Sequence, residues 1–238
     1  MRLRFVSLAA AFSLAACSSA PVVETDSFPA VTRQECLRTA EAYRTHRWTG
    51  SGANIMHGPD SKGIHVDTPD STYQKPGAVP GWWRTGEVNE GMPYQWGGFC
   101  TLAEFDAGLR AGKAAGDVYS SEKRRLLDDA VSTQAVGIDC SGFISRCWKL
   151  PRSYSTRELA GLCVELKSWN ELKPGDILNT FNAHCLLFAG WDDAEKTRII
   201  AYETGSPPDW KVVSHSIEAK WLRSIGYRPF RYRKMQDQ

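Results

Sequence analysis

Beyond its first sixteen residues the chain has no long apolar run, which excludes a multi-span membrane protein. It also lacks a dominant charge. Its 29 Lys and Arg face 27 Asp and Glu, for a formal net charge of +2 and a pI near 8.1. No Lys/Arg stripe carries that small surplus, so nucleic acid is not expected as a partner. No CxxC pair or His/Cys spacing suggests zinc, and no metal is expected. Repeats and low-complexity segments are missing too. What is present is a globular composition, 42% apolar and 24% charged over 238 residues, a length suited to one or two domains.

The N-terminus reads as an address. Arg2 and Arg4 precede a short, nearly all apolar or small stretch from Phe5 to Ala16, the pattern of an export signal and too short to span a bilayer. Leu14-Ala15-Ala16-Cys17 followed by Ser18-Ser19-Ala20-Pro21 resembles the bacterial lipobox, in which the Cys is lipidated and becomes the new first residue. Residues 1–16 are then a signal peptide, Cys17 carries the lipid, and residues 17–30 form a tether. Removing Arg2 and Arg4 leaves 27 basic against 27 acidic residues, so the anchor holds by acyl burial and not by charge. Ser18 after the Cys favours the outer membrane, facing the periplasm, over inner-membrane retention.

Six further cysteines follow: Cys36, Cys100, Cys140, Cys147, Cys163 and Cys185. An oxidising compartment permits disulfides. Cys140 and Cys147 share one face of a predicted helix, where they cannot bridge. If one cysteine stays a free thiol, five are left and at least one more is unpaired, so no pairing is assigned.

The order of elements predicts an α+β protein. Thr32 and Glu35 form a capping box, with Val31 set to staple against Cys36, opening a helix to about Arg47. Residues 31–91 otherwise read as an irregular wrap rich in Gly, Pro, Asp and Ser, which Trp82 and Trp83 are expected to anchor by burial. A second box, Thr101 and Glu104, opens a helix with Leu102, Phe105 and Leu109 on one face. Gly108, Gly112 and Gly116 suggest close approach or a fraying helix end. Ser121 to Gln134 reads as a charged helix with Lys123-Arg124-Arg125 as a solvated face. A helix over Cys140–Leu150 is stopped by Pro151, and Ser155 and Glu158 cap a short helix through Leu162. Strands are expected at Asp176–Asn179, Ala183–Ala189, Arg198–Glu203, Val212–Ile217 and Ile225–Tyr232, forming an antiparallel meander.

The chemistry centres on Gly137-Ile138-Asp139-Cys140-Ser141-Gly142-Phe143. A small-residue turn delivers Cys140 to the first turn of a helix, where unpaired N–H groups and the helix dipole favour an anion. A thiolate is that anion, and the same N–H groups suit the oxyanion of acyl transfer. The nucleophile needs a base and a group that orients the base. His184 starts the strand His184-Cys185-Leu186-Leu187-Phe188-Ala189-Gly190. A hairpin symmetric about Asp193-Ala194 sets Ala189 opposite Arg198 and His184 opposite Glu203, making Glu203 the orienting candidate. A one-residue slip would turn Glu203 to the wrong face. His46 suits a helix end, and His57, His65 and His215 have no ligand spacing. Arg152 and Arg157 suit carboxylates as bidentate donors, but read first as solvated surface.

With those residues in view, the chain resembles the NlpC-type (NlpC and p-sixty) cysteine peptidases of bacterial cell-wall turnover. The matching pieces run in family order: Tyr94-Gln95-Trp96-Gly97-Gly98, Asp139-Cys140-Ser141-Gly142-Phe143, Leu150-Pro151-Arg152-Ser153, Leu172-Lys173-Pro174-Gly175-Asp176, and the His184 strand. They cover about residues 92–205 of a domain taken as 31–235. The resemblance implies a papain-like fold with N-terminal helices packed on an antiparallel sheet, Cys140 as nucleophile and His184 as general base. It also implies Tyr94 beside the thiol, Asp139 and Ser141 lining the substrate pocket, and no cofactor. The implied reaction is hydrolysis of peptidoglycan stem peptides, often at a γ-D-glutamyl–diamino acid bond. Two departures stand out: a helical insertion over residues 99–136, and Glu203 where the family commonly has His. Two other functions compete. One is a papain-like acyltransferase or lipid amidase/esterase, and the other a catalytically silent cell-wall-binding lipoprotein whose cleft the insertion blocks.

Overall fold

A computed structural model describes residues 27–75, 80–205 and 209–237. The signal peptide, Cys17 and most of the tether lie outside the described residues. No helix among the described residues is long and apolar enough to cross a membrane.

The protein is α+β. Helix α1 (Arg33–Arg44) starts on the expected box, with the Thr32 side chain capping Glu35 N–H and Glu35 reaching back to Thr32. Helix α2 (Leu102–Arg110) starts the same way on Thr101 and Glu104. Helix α3 (Ser121–Leu126) is shorter than the predicted run to Gln134. Leu127 takes a left-handed φ of 54° and the chain continues as a 3-10 turn to Ala130. Lys123 is not solvated as expected. It is 4% exposed, with Nζ 2.7 Å from Oδ2 of Asp117 in a buried pair within the insertion. The pair is pinned to the wrap because Lys123 Nζ donates to His65 O and Asp117 Oδ1 accepts from Asp67 N–H. Helix α4 (Cys140–Cys147) ends before Leu150, because Lys149 turns left-handed at φ 56°. Ser155 and Glu158 make their predicted cap, but only a 3-10 turn, Leu159–Leu162, follows. Helix α5 (Ala219–Ser224) occupies part of the stretch between the last two predicted strands.

One six-stranded sheet carries the second half of the chain. Its strands are β1 (Cys163–Glu165), β2 (Ile177–Asn179), β3 (Cys185–Trp191), β4 (Arg198–Glu203), β5 (Val213–Glu218) and β6 (Arg228–Tyr232), in the order β5-β4-β3-β2-β6-β1. Every pairing is antiparallel. Strand β1 was not anticipated. The main core lies between this sheet and the helices, with Phe143, Ile144, Cys147 and Trp148 of the α4 segment against Ile177, Cys185 and Leu187, and Cys36 and Ala40 of α1 behind them.

The wrap is ordered by small strand pairs, residues 47–49 with 88–90 and 57–59 with 65–67. Trp83 is fully buried and packs on Trp48 at 5.4 Å, so the tryptophans do anchor it. Gly108 lies against Val136, where a Cβ would sit 2.5 Å from Cγ1, while Gly112 and Gly116 have φ of 76° and 91°; close approach and chain reversal both apply. The insertion closes on itself through a parallel pair, Ala114–Ala115 with Ala135–Val136.

Candidate active site

Three close backbone approaches set the nucleophile turn. A Cβ on Gly137 would lie 2.6 Å from the Pro93 carbonyl oxygen, one on Gly98 would lie 2.8 Å from that of Gly137, and one on Gly142 would collide with that of Gly98. The strand-like 93–98 segment is thus pressed on both sides of Cys140, with Gln95 N–H bonded to Ile138 O and Asp139 N–H to Gly98 O. Asp139 caps α4: its Oδ1 accepts from Gly142 N–H at 2.5 Å and from the Ser141 hydroxyl at 3.0 Å. Cys140 therefore opens the helix, where the first N–H groups lack helical acceptors.

His184 sits just before β3, clamped by a mutual turn with Thr180. The Thr180 hydroxyl accepts from His184 N–H and donates to its carbonyl. Its Nε2 lies 2.6 Å from Oε2 of Glu203 on β4. That leaves Nδ1 free of the carboxylate, on a ring that lines the same cavity as Cys140.

The register is not the predicted one. Leu187 faces Tyr202 and Phe188 faces Ala201, but Gly190 faces Ile200, a shift of one residue at Ala189. Ala189 does not oppose Arg198, and extending the inner register sets Glu203 beside Leu186 and not His184. The hairpin closes over 193–197, where the Asp193 carboxylate accepts from Thr197 and Arg198 N–H. An error of two residues preserves the face, and a diagonal pair is within reach of Glu and His side chains. The two groups meet for that reason.

The sequence reading missed His215. It lies on β5 opposite Ala201, again diagonal to Glu203, and its Nε2 is 2.5 Å from Oε1 of that carboxylate. Glu203 is thus 5% exposed and shared by two imidazoles. The available signal was the alternation in Val213-Ser214-His215, which puts His215 on the face of Val213, Glu203's neighbour across the ladder.

These contacts determine the charges. The Cys140 thiol is held well below its ordinary range, first by hydrogen bonding from the Cys185 thiol, against burial, and then by His184. Burial keeps Cys185 protonated, so it serves as a donor to the thiolate. Burial disfavours the His184 cation, but Cys140 and Glu203 outweigh it and raise the imidazole to about 10. The hydrogen bond to Glu203 raises His215 as well. Burial and the Cys140 charge lift Asp139 to about 7 against its own hydrogen bonds. Tyr94 is buried beside them, with its hydroxyl pushed well up, chiefly by burial and then by the Cys140 and Asp139 charges. The site is a thiolate–imidazolium pair backed by a carboxylate, an arrangement suited to nucleophilic attack followed by proton delivery.

A cavity of about 300 Å³ opens over Cys140 and His184, and Tyr94, Asp139 and Ser141 line it, so the five residues expected at the site come together with Glu203 behind. The insertion forms a wall through Tyr119, Arg124 and Asp128 without covering the thiol. Arg152 is spent on Glu158 and stacks on Tyr154, whereas Arg157 lines the cavity. The remaining histidines are held elsewhere: His46 by Asp106, and His57 and His65 by Asp67 and Asp70. Among the described residues no cluster of His, Cys, Asp and Glu could hold a metal ion. The six described cysteines are free thiols. Compared with models of known families, curated proteins and solved structures, the chain gives no match.

Proposed function

We propose that the protein is a cysteine peptidase of the NlpC and p-sixty type, papain-like in fold, that hydrolyses amide bonds in peptidoglycan stem peptides. One observation carries the reading: the helix-start Cys140 and the His184 imidazole line one cavity, and Nε2 of that imidazole is 2.6 Å from a buried carboxylate. The nucleophile stands on a helix packed against the antiparallel sheet that carries the proton carrier and the orienting group. The γ-D-glutamyl–diamino acid bond is the expected target by resemblance. A lipid on Cys17 would hold the enzyme at the outer membrane, facing the wall in the periplasm.

In the reaction the Cys140 thiolate attacks the scissile carbonyl carbon, and first-turn N–H groups of α4 stabilise the oxyanion. The tetrahedral adduct collapses as His184 Nδ1 gives its proton to the leaving amine nitrogen, leaving a thioester on Cys140. Water then attacks the thioester with His184 as base, releasing the carboxylic acid and restoring the ion pair. Glu203 holds Nε2 throughout, fixing the ring and favouring its charged form.

The open cavity over the thiol favours catalysis over a silent wall-binding role. Cys140→Ala should abolish release of peptide fragments from purified sacculi while the circular dichroism spectrum stays that of the parent. Undiminished release by this variant would overturn the reading.

A further inference from the structure

Thr180 holds the backbone of His184, and Glu203 holds Nε2 of its ring. One hydrogen bond fixes a single ring atom and leaves the imidazole free to tilt about it, which would carry Nδ1 away from the nucleophile. A third contact opposes that tilt. The ring of Tyr227 stands at 88° to the imidazole with centroids 6.5 Å apart, an edge-on arrangement within the range of aromatic pairs.

The end of α5 and the sheet register together deliver Tyr227. Gly226 takes a left-handed φ of 91°. Its N–H bonds to Arg223 O, and Tyr227 N–H bonds to Leu222 O. This pair of bonds is the Schellman ending of a helix, which folds the next residue back on the last turn. Tyr227 accordingly packs, partly buried, against the apolar layer of Leu178, Leu186 and Leu222. The sheet sets the same meeting from its side. Arg228 of β6 pairs with Asn179 of β2, and Asn179 pairs with Cys185 of β3. Strands β3 and β6 run in one direction on either side of β2, so His184 and Tyr227, each one residue earlier, share the next row and one face.

We infer that Tyr227 is a positioning residue for His184, its ring blocking the tilt that Glu203 alone permits, so that the thiolate–imidazolium pair is aligned before substrate binds. This rests on the peptidase reading and adds a residue that acts only through the imidazole, since Tyr227 does not line the cavity over Cys140. Burial, and then the Glu203 charge, push the Tyr227 hydroxyl well up, so the ring stays neutral and brings no charge of its own to the pair. A flat ring is the feature that matters, because a branched aliphatic side chain fills the space without presenting a rigid edge or face.

The test reads the thiol directly. Full-length protein is alkylated with iodoacetamide over a range of pH, and modification of Cys140 is followed by peptide mass spectrometry. Tyr227→Leu should lower the alkylation rate on the acid side about tenfold, because a misplaced imidazolium holds less of the thiol as thiolate. The maximal rate of fragment release from sacculi should fall with it, at unchanged half-saturation. Tyr227→Phe keeps the ring and should retain both rates. Leu166→Ala removes packing from the same apolar layer and should lower the melting temperature without moving the alkylation profile, so instability alone does not imitate the effect. Should Tyr227→Leu fail to fold, Gly226→Ala carries the test: a Cβ strains the backbone at φ 91° and should shift the profile in the same direction. A parent profile in the variant that carries the test, or a Phe variant that falls as far as the Leu variant, would overturn the positioning role. Alkylation needs no substrate, so fragment release that persists without Cys140 would remove the peptidase reading and leave this result standing.

Discussion

Glu203 serves two imidazoles with one buried carboxylate, and the two contacts should differ in consequence. Oε2 orients His184, the group that moves protons, so Glu203→Gln is expected to lower kcat on the order of 10²-fold. That is less than the roughly 10⁴-fold seen when a serine triad loses its carboxylate, because a thiolate is already ionised before substrate arrives. The pH profile should move as well. His184 is raised to about 10 partly by Glu203, so parent activity should fall as pH passes about 10 and the imidazolium is lost. In Glu203→Gln the alkaline limb should shift to lower pH, because the neutral amide no longer favours the cation. An unmoved limb would remove Glu203 from the proton chemistry. His215 touches Glu203 and is half-exposed, so it is a positioning residue. His215→Ala should lower kcat several-fold with KM unchanged, and His215→Gln, which returns an N–H donor, should recover most of the loss.

At the scale of elements, the start of α4 depends on a residue with no side chain. Gly142 faces the Gly98 carbonyl so closely that a Cβ cannot enter without moving the 97–98 turn, which also bounds the cavity. Gly142→Ala should cost about 1–3 kcal/mol, the usual penalty for overfilling a packed contact, and should lower kcat by moving Asp139 and Cys140 together. Urea denaturation alongside steady-state kinetics checks both parts, and a variant with parent stability would show that the turn yields freely. The same elements show what was legible in the chain. Both capping boxes follow from residues three apart, and the helices start where Thr32 and Thr101 place them. The cysteine helix was visible for the same local reason. The β3–β4 register was not, because it depends on the length of the 193–197 turn and on a bulge at Ala189, and neither leaves a mark in the alternation of apolar residues. His184 and Glu203 could still be paired from sequence, since the error was even and kept them on one face. His215 escaped because it reaches Glu203 from a third strand, across a ladder whose register the hairpin does not set. Lys123 escaped too, since three basic residues in a row give no sign that one of them turns inward to Asp117.

Across the whole molecule, Asp176 ties the two ends of the described chain to the sheet. It is fully buried at the entry to β2. Its Oδ1 lies 3.0 Å from Nη1 of Arg33 at the start of α1, and its Oδ2 lies 2.7 Å from Nη2 of Arg231 on β6. Lys173 N–H closes the Lys173-Pro174-Gly175-Asp176 turn on the same carboxylate, so the family-like motif reads here as a structural joint. Beside it Val31 pairs with Met235, and Arg33 and Lys173 both reach Asp237. The exposed pairs to Asp237 contribute little. The buried one is different, since removing its anion leaves two guanidinium groups facing each other in a low-dielectric site. Asp176→Ala should therefore destabilise the protein by about 3–5 kcal/mol, a fall in melting temperature on the order of 10 °C for a domain of this size. Arg33 also anchors α1, which packs behind α4, so the loss should appear as one cooperative transition and not as fraying of the N-terminal helix alone. Calorimetry of parent and variant distinguishes these outcomes. A separate low-temperature step with the main transition unmoved would show that the sheet and α4 hold the thiol and imidazole together without the joint at Asp176.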